Sequence, residues 1–303
     1  MIAVPSEPIL RVEGLSRHYE TSGFLGRKRH VVKAVDGISL AIRPGETLGL
    51  VGESGSGKST TARLVLRLEE PTAGRIWFEE QEITGLSPPA LKPLRRKVQI
   101  VFQDPYAALN PRMTVGDFVT EPLVVHGVAG GRASRRERVA GLFSLVGLDA
   151  RFMDRYPHEF SGGQRQRVGI ARAIALDPSL IVADEPITAL DVSIQAQIVN
   201  LFQDLQERLG VAYLFIAHDL SMVRYLCARV AVMFRGRIVE TGATDEIFRE
   251  PVHAYTRALL SSVPIPDPDR EQGRRRIPFD PDSVVFTDEQ GLAEVRPGHW
   301  VLT

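Results

Sequence analysis

The sequence contains a single cysteine, Cys227, among 303 residues. One cysteine excludes an internal disulfide and any metal site built from several thiolates. Cys227 stands in the apolar stretch YLCARVAVM, so we expect a small buried side chain rather than a reactive thiol. The histidines other than His218 show no spacing typical of metal ligands.

The sequence also lacks net charge and long apolar runs. Lys and Arg number 37, as do Asp and Glu, so the formal net charge is +0 and the basic excess expected of a general nucleic-acid binder is missing. Apolar runs such as VAYLFIA are far shorter than the roughly 18 residues that cross a bilayer. The start MIAVPSEPIL does not resemble a secretory signal. We expect a cytoplasmic, soluble chain that relies on another chain for any membrane-spanning part.

Short apolar segments are instead distributed along the chain between helical ones. The alternating stretches ILRVEGLSRHY and KAVDGISLAI predict an N-terminal antiparallel β subdomain. Further compact apolar runs lie at 98–102, 180–183, 211–217 and 230–234. Such runs predict a mostly parallel sheet covered by helices, an α/β fold. SIQAQIVNLFQDLQERLG predicts one covering helix, because its apolar residues recur at helical spacing and Gly210 follows them.

Two regions depart from this pattern. Residues of about 104–178 are punctuated by prolines and then helical, which predicts an α-helical insertion between two strands of the sheet. The tail from Pro264 is proline-rich and charged, which predicts an extended appendage. We therefore divide the chain into a domain at 1–263 and an extension at 264–303.

The stretch GESGSGKS fits the pattern G-x-x-x-x-G-K-[ST], follows an apolar strand and precedes helix formers. Chance produces this pattern in a chain of such length on the order of once in a hundred times. Its glycines let backbone N–H groups converge on phosphate oxygens, Lys58 reaches the β- and γ-phosphates, and the Ser59 hydroxyl completes a Mg²⁺ shell. The predicted phosphate-binding residues are Gly52, Glu53, Ser54, Gly55, Ser56, Gly57, Lys58, Ser59 and Thr60.

The segment SLIVADEP supplies the carboxylates that a nucleoside triphosphate site needs. Asp184 follows four apolar strand residues, so it lies at the carboxyl end of a strand, where open α/β sheets bind ligands. The adjacent Glu185 is the predicted acceptor of a proton from the attacking water. A carboxylate at the end of a buried strand needs a cation or a donor, which favours Mg²⁺ near Asp184.

A second anion-binding turn is Ser161, Gly162, Gly163 and Gln164, which opens a helix. With this SGGQ turn the sequence resembles the ATP-binding-cassette (ABC) ATPases, a family with a P-loop NTPase core. In that family SGGQ is the signature motif, which acts in trans on ATP bound to a second subunit. The resemblance also assigns Gln103 to the Q-loop and the Mg²⁺ site, Asp191 to the D-loop, His218 to the γ-phosphate switch and Tyr19 to adenine stacking.

Longer segments, among them FQDPYAALNPRMTVGDFVTEPL and HAYTRALLSSVPIPDP, resemble the ATP-binding subunits of dipeptide and oligopeptide importers. The resemblance implies a peripheral subunit on the cytoplasmic face of a prokaryotic inner membrane. Its partners would be a second ATPase subunit, two permease subunits and, through the complex, an extracytoplasmic substrate-binding protein, with no nucleic acid. Nickel and opines are variant cargoes of the subfamily.

One point of this resemblance leaves two alternatives open, and a second is a departure from the family pattern. Tyr106, Leu109 and Met113 are apolar candidates for a groove that receives a permease helix, or they are buried within the insertion. The cysteine motif that many members carry in the C-terminal extension is absent, so no iron–sulfur cluster can form there.

The rival functions are a non-transport cassette acting on nucleic acid or in translation, and a module that binds ATP without hydrolysing it. The segment between Lys58 and Asp184 has no sustained heptads and no CxxC, which argues against the first. The presence of Glu185 and His218 argues against the second.

Overall fold

The computed structural model describes residues 7–21, 30–104, 109–128, 130–188, 190–263, 276–287 and 290–303. The chain divides into two compact units. Unit 1 is mainly Gly85–Leu214, together with Arg43–Glu46. Unit 2 consists of Leu10–Ile42, Thr47–Thr84 and Phe215–Thr303.

The strands, in chain order, are β1 Leu10–Thr21, β2 His30–Ile42, β3 Thr47–Val51, β4 Ala73–Phe78, β5 Gln81–Glu82, β6 Val98–Val101, β7 Leu180–Asp184, β8 Ala212–Ala217, β9 Arg229–Phe234, β10 Arg237–Ala243, β11 Leu292–Arg296 and β12 His299–Leu302. The helices are α1 Lys58–Val65, α2 Pro88–Leu91, α3 Leu94–Lys97, α4 Val115–Val125, α5 Arg132–Leu145, α6 Gly162–Ile174, α7 Val192–Leu209, α8 Leu220–Leu226, α9 Thr244–Arg249 and α10 Ala254–Ser261. Short 3-10 turns lie at Ala150–Asp154, Pro157–Glu159 and Pro281–Ser283.

The four N-terminal strands of unit 2 form an antiparallel sheet in the order β2-β1-β4-β5. Alternate residues of β1, such as Leu10 and Val12, are buried, while Arg11 and Glu13 on the other face are exposed. This alternation is the pattern of a strand with one buried face. The predicted N-terminal antiparallel β subdomain is therefore confirmed.

A second group of unit 2 strands surrounds β3. Strand β3 pairs in parallel with β9, and every residue of Thr47–Val51 is buried. Strand β9 also pairs with β10. Strand β10 pairs with β12 on its other side, and β12 pairs with β11. These three pairings are antiparallel. The prediction of an extended appendage is wrong for the part of the tail that forms β11 and β12. Strand β12 pairs with β10 and thereby joins this group of strands.

Unit 1 contains the parallel pair β6 and β7 with helices around it. The described residues between β6 and β7 form helices α4, α5 and α6 and two 3-10 turns. The predicted covering helix is confirmed as α7, whose buried residues include Ile198, Phe202 and Leu205 and which ends at Gly210 in the left-handed region. The predicted α/β fold class is thus confirmed, since parallel strands and helices accompany the antiparallel sheet.

Helix α1 is shorter than the helix-forming run TTARLVLRLEE suggests. It ends at Val65, and Arg67 two residues later has a left-handed φ of 50°. The amide of Leu68 returns to the carbonyl of Arg63 at 2.9 Å, a bond pattern that closes a helix after a left-handed residue. The turn frees Glu69 from the helix and directs it toward β1.

Three further observations bear on the expectations from sequence. Cys227 is buried, and burial raises the pKa of its thiol, so a reactive thiolate is disfavoured. Leu109 is buried, whereas Tyr106 lies outside the described residues. No helix within the described ranges is both long and apolar enough to cross a membrane.

Candidate active site

The phosphate loop connects β3 to α1 in unit 2, as the sequence motif predicts. Two of its glycines admit no side chain. A Cβ on Gly52 would lie 2.1 Å from the Met233 carbonyl oxygen, and a Cβ on Gly57 would lie 2.2 Å from the Ala34 carbonyl oxygen. Gly57 also has a φ of 108°, in the region that favours glycine, and it directly precedes α1. The backbone of the loop thus forms a cradle that packs directly against carbonyl groups of the neighbouring strands β2 and β9.

Lys58 folds back over this cradle. Its Nζ donates to the carbonyl oxygens of Gly52 and Glu53, each at 2.8 Å, and only 4% of the residue is exposed. The ammonium is thus held beside the backbone of the loop. The Ser56 hydroxyl is buried and has no hydrogen-bond partner among the described residues. A cation, a buried hydroxyl and the N-terminus of α1 in one loop suit the phosphate groups of a nucleotide.

The remaining loop residues differ in exposure. Ser59 and Thr60 are half-buried in the first turn of α1, and Glu53, Ser54 and Gly55 are exposed at the outer side of the loop. Ser59 therefore lies at the N-terminus of α1, and the motif predicts that its hydroxyl binds the metal.

Tyr19 lies on β1, half-buried. Its hydroxyl donates a hydrogen bond to Glu69, and the Arg17 guanidinium carbon lies 4.7 Å from the centroid of its ring. Glu69 reaches this position because α1 ends at Val65. Arg17 therefore backs one face of the ring, which adds a cation–π contact that the sequence interpretation missed.

His218 directly follows β8 and is exposed. The next residue, Asp219, caps α8 by accepting a hydrogen bond from the Ser221 amide at 2.8 Å. The cap fixes the backbone immediately after His218, so this residue lies at a defined strand-to-helix turn.

In unit 1, Asp184 ends β7 and Glu185 follows it, both half-buried. Glu185 has a left-handed φ of 46°, an uncommon backbone conformation for a residue other than glycine. The Gln103 side-chain amide donates to Oε2 of Glu185 at 3.0 Å, and the Thr188 hydroxyl lies 3.3 Å from the same oxygen. Gln103, at the end of β6, and Glu185 are thus in contact. Thr188 is a further contact of this carboxylate that the sequence analysis did not predict.

The SGGQ turn begins α6. Ser161 caps the helix by accepting from the Gln164 amide at 3.4 Å, and the Gln164 side-chain oxygen accepts from the Ser161 amide at 3.0 Å. This capping box fixes both polar side chains of the turn. A Cβ on Gly163 would lie 2.5 Å from Ile194 of α7, so the glycine permits close packing of the two helices.

Asp191 is exposed and precedes α7, where its carbonyl oxygen accepts from the Ile194 amide at 2.9 Å. Ala189 of the predicted D-loop lies outside the described residues. Of the predicted site residues, unit 1 therefore holds Gln103, Asp184, Glu185, Asp191 and the SGGQ turn. Unit 2 holds Tyr19, His218 and the phosphate loop. The individual roles of these residues stay predictions.

Comparison with known protein families identifies the class. The family model described as ABC transporter matches residues 35–188, and the model described as the C-terminal region of oligopeptide/dipeptide transporters matches residues 239–285. The chain belongs to the ABC transporter family of ATPases, and its ATP-hydrolysing activity follows from that membership.

Particular relatives narrow the comparison. The chain is 51% identical over 300 residues to the oligopeptide transport ATP-binding protein OppF of Bacillus subtilis (strain 168), covering 98% of this chain and 96% of that protein. It is 52% identical to OppF of Streptococcus mutans serotype c (strain ATCC 700610 / UA159), covering 91% of this chain and 89% of that protein.

A solved structure supports the fold. The dimeric ATP-binding cassette MJ0796, in a post-hydrolysis state bound to ADP and Pi, matches with a TM-score of 0.70 and 30% identity. The match covers 78% of this chain and 98% of that one.

Proposed function

We propose that the protein hydrolyses ATP to power the import of peptides through a membrane transporter. The observation that carries the proposal is the match of residues 239–285 to the C-terminal region of oligopeptide/dipeptide transporters. Near full-length identity to two oligopeptide transport ATP-binding proteins supports the same conclusion. The competing hypothesis is the import of a variant cargo of this class, such as nickel or opines, and the uptake test below addresses it.

The proposed assembly contains a second ATPase subunit, two permease subunits and an extracytoplasmic substrate-binding protein. The ATPase lies peripherally on the cytoplasmic face of a prokaryotic inner membrane, where it contacts the permeases. The described helices offer no membrane span, which agrees with a subunit that depends on permeases for crossing the bilayer. The dimeric state of the related cassette supports pairing with a second ATPase subunit.

In the proposed site the phosphate loop of one subunit and the SGGQ turn of another enclose the triphosphate of ATP. Lys58 already lies among the loop carbonyls, so its positive charge needs little reorganisation to meet the β- and γ-phosphates. The capping box holds Ser161 and Gln164 at the N-terminus of α6, which favours an anion. Tyr19, backed by Arg17, stacks on the adenine ring.

Mg²⁺ is the expected cofactor, and the hydroxyl, carboxylate and amide oxygens of Ser59, Asp184 and Gln103 are the hard donors that it prefers. When bound, Mg²⁺ neutralises charge on the phosphate oxygens. The Gln103 amide nitrogen donates to Glu185, which leaves the amide oxygen as the atom assigned to the metal.

Glu185 is the proposed general base that accepts a proton from the attacking water. Gln103 and Thr188 contact its Oε2, so the carboxylate is held in a defined orientation. Asp191 lies in the loop that follows, and His218 is assigned to the γ-phosphate. Hydrolysis removes the phosphate that joins the two subunits, and the pair then reopens.

Peptide uptake by cells tests the transport function. Cells that lack this chain are complemented with the wild type, with Glu185→Gln or with Glu207→Gln, a matched change of an exposed glutamate on α7. We expect labelled oligopeptide uptake to require the wild type or Glu207→Gln. Normal peptide uptake in the deleted cells, or a loss confined to nickel uptake, would contradict peptide import.

Trapping of the nucleotide-bound pair tests the base. Glu185→Gln should bind ATP, form a stable pair of ATPase subunits and hydrolyse ATP more slowly by at least about 100-fold. Size-exclusion chromatography with ATP and a phosphate-release assay on the assembled transporter measure both effects. Hydrolysis at the wild-type rate would remove Glu185 from the role of base.

A further inference from the structure

The phosphate loop is supported from outside by a residue far along the chain. The backbone N–H of Glu53, the second residue of the loop, donates a hydrogen bond of 2.9 Å to the hydroxyl oxygen of Tyr255. Tyr255 lies on α10, 202 residues later in the sequence. Glu53 is bonded through its amide, so the contact fixes loop backbone rather than a loop side chain.

Tyr255 is itself fixed in position. Only 1% of the residue is exposed. Its ring lies 4.4 Å from that of Phe234, at the end of β9, and 5.3 Å from that of Phe279, measured between centroids. Phe279 also contacts Phe234 edge to face at 5.4 Å, and Phe286 contacts Phe234 at 6.1 Å. The tyrosine hydroxyl thus projects from a closed aromatic cluster toward the loop.

Half of this cluster belongs to the segment Arg276–Thr287, which follows α10 and is defined here as the C-terminal strap. The strap is attached at three points. The Ile277 amide donates to the Ser261 hydroxyl at 2.9 Å, Arg235 pairs with Asp282 at 2.7 Å, and Arg237 donates to the Thr287 carbonyl at 2.7 Å.

The attachments lead back to the same loop. Arg235 and Arg237 flank Gly236, and the Gly236 amide donates to the Ser56 carbonyl of the phosphate loop at 2.9 Å. The loop is therefore held at Glu53 through Tyr255 and at Ser56 through the turn between β9 and β10. Both supports lie against the C-terminal strap.

We infer that Tyr255 is a positioning residue for the phosphate loop, and that the C-terminal strap holds Tyr255 in place through Phe279. This inference rests on the proposed binding of ATP at that loop. It gives the cysteine-free extension a role in the nucleotide site of its own chain, because two of the four packed rings belong to the strap.

The chemistry of Tyr255 suits this role. Burial raises the pKa of its hydroxyl to about 12, so the group stays neutral and accepts from the Glu53 amide throughout the physiological range. Tyr255→Phe removes only the acceptor and keeps the ring in the cluster. The Glu53 peptide then loses one of its constraints, and the loop has to be ordered by the nucleotide itself.

Binding of Mg·ATP to the full chain provides the first readout. We expect Tyr255→Phe to weaken binding by about three- to tenfold, the range that one lost hydrogen bond corresponds to. The thermal midpoint of the nucleotide-free protein should fall by no more than about 4 °C. Tyr213→Phe is the matched control, because Tyr213 is fully buried and its hydroxyl has no hydrogen-bond partner among the described residues. It should leave ATP affinity unchanged.

Hydrogen exchange of the Glu53 amide in the nucleotide-free protein provides the second readout. Exchange should accelerate in Tyr255→Phe and in Phe279→Ala. It should not change in Glu207→Gln, a substitution of an exposed residue on α7 that lies outside the strap. Phe279→Ala tests the strap without touching the hydrogen-bonded pair, so it separates support by the extension from the hydroxyl itself.

The outcomes are distinct. Wild-type ATP affinity together with unchanged Glu53 exchange in Tyr255→Phe would overturn the inference. Faster exchange in Tyr255→Phe but not in Phe279→Ala would overturn the role of the strap. A wild-type protein that does not bind Mg·ATP would overturn the proposed function instead, and the exchange measurement would still decide the role of Tyr255.

Discussion

The side-chain nitrogen of Gln103 lies 3.0 Å from Oε2 of Glu185, although 82 residues separate them in the sequence. Glu185 also has a left-handed backbone, with a φ of 46°. Such a conformation persists where the surroundings over-determine it, as they do at functional sites. The bond therefore orients a carboxylate whose backbone already restricts its direction.

Removal of the Gln103 amide should slow hydrolysis more than it weakens binding. Gln103→Ala removes a donor that orients Glu185, so we expect the rate constant for hydrolysis to fall roughly tenfold, with a change in ATP affinity of less than about threefold. Steady-state ATPase rates of the assembled transporter and ATP titration of the isolated chain measure the two effects. An unchanged rate would show that Gln103 does not orient the base.

A methyl group at Gly57 should abolish nucleotide binding, whereas one at Gly55 should not. Gly57→Ala brings a Cβ to 2.2 Å from a carbonyl oxygen of Ala34, so β2 or the loop has to move. Gly55 has a φ of 81° but open space around it, so Gly55→Ala costs only about 1–2 kcal/mol of backbone strain. ATP titration compares the variants. Equal affinities would contradict a loop shaped by its neighbours.

The pairing of His299 with Glu240 should stabilise unit 2. Nε2 of His299 lies 2.7 Å from Oε1 of Glu240, and both side chains have 0% exposure. His299→Ala removes one partner of the buried Glu240 carboxylate, which keeps the amides of Val252 and His253, so the free energy of unfolding should fall by about 1–3 kcal/mol. Val295→Ala, exposed on the neighbouring strand β11, should change it by less than about 0.5 kcal/mol. Denaturant unfolding measures both variants, and similar values would contradict the prediction.

Stability should decline in acid partly through Asp36. Burial alone would raise the pKa of its carboxyl, but the hydrogen bond and charge of Arg237, with help from His18 and Lys33, hold that pKa below its ordinary value. Because the folded-state pKa lies below the unfolded value of about 3.9, ionised Asp36 stabilises the protein above that pH. The contribution is lost as the pH falls through the folded-state pKa.

Asp36→Asn should therefore be less stable than the wild type at pH 7 and should lose less stability on acidification below about pH 4. Urea unfolding at a series of pH values measures the difference. Asp282→Asn is the control, since its carboxylate is largely exposed. Parallel pH profiles for wild type and Asp36→Asn would refute the prediction.

Local features of the site follow from the sequence because their determinants are adjacent along the chain. The phosphate loop stands between a buried strand and a helix, as its motif requires, and the SGGQ turn carries its own cap in Ser161 and Gln164. The end of α1 is different. Helix formers continue beyond Val65, but Arg67 adopts a left-handed conformation that no residue propensity indicates.

Long-range contacts could not be predicted, since nothing near a residue specifies a partner 200 positions away. Glu53 and Tyr255 each belong to a recognisable segment, but no sequence pattern joins them. Strand β12 was not predicted for a related reason. The segment HWVL is too short to show periodicity, and its strand conformation depends on pairing with β10. The proline-rich composition before it then suggested an appendage.

Glu240 has consequences for the order in which the protein folds during synthesis. Its carboxylate accepts the amides of Val252 and His253, which leave the ribosome soon after it. His299 follows 59 residues later, which at typical translation speeds is a delay of about 3 to 12 seconds. Until His299 is synthesised, Glu240 lacks this partner and β10 lacks its pairing with β12. One buried carboxylate thus connects a segment that is synthesised soon after β10 with one that is synthesised much later.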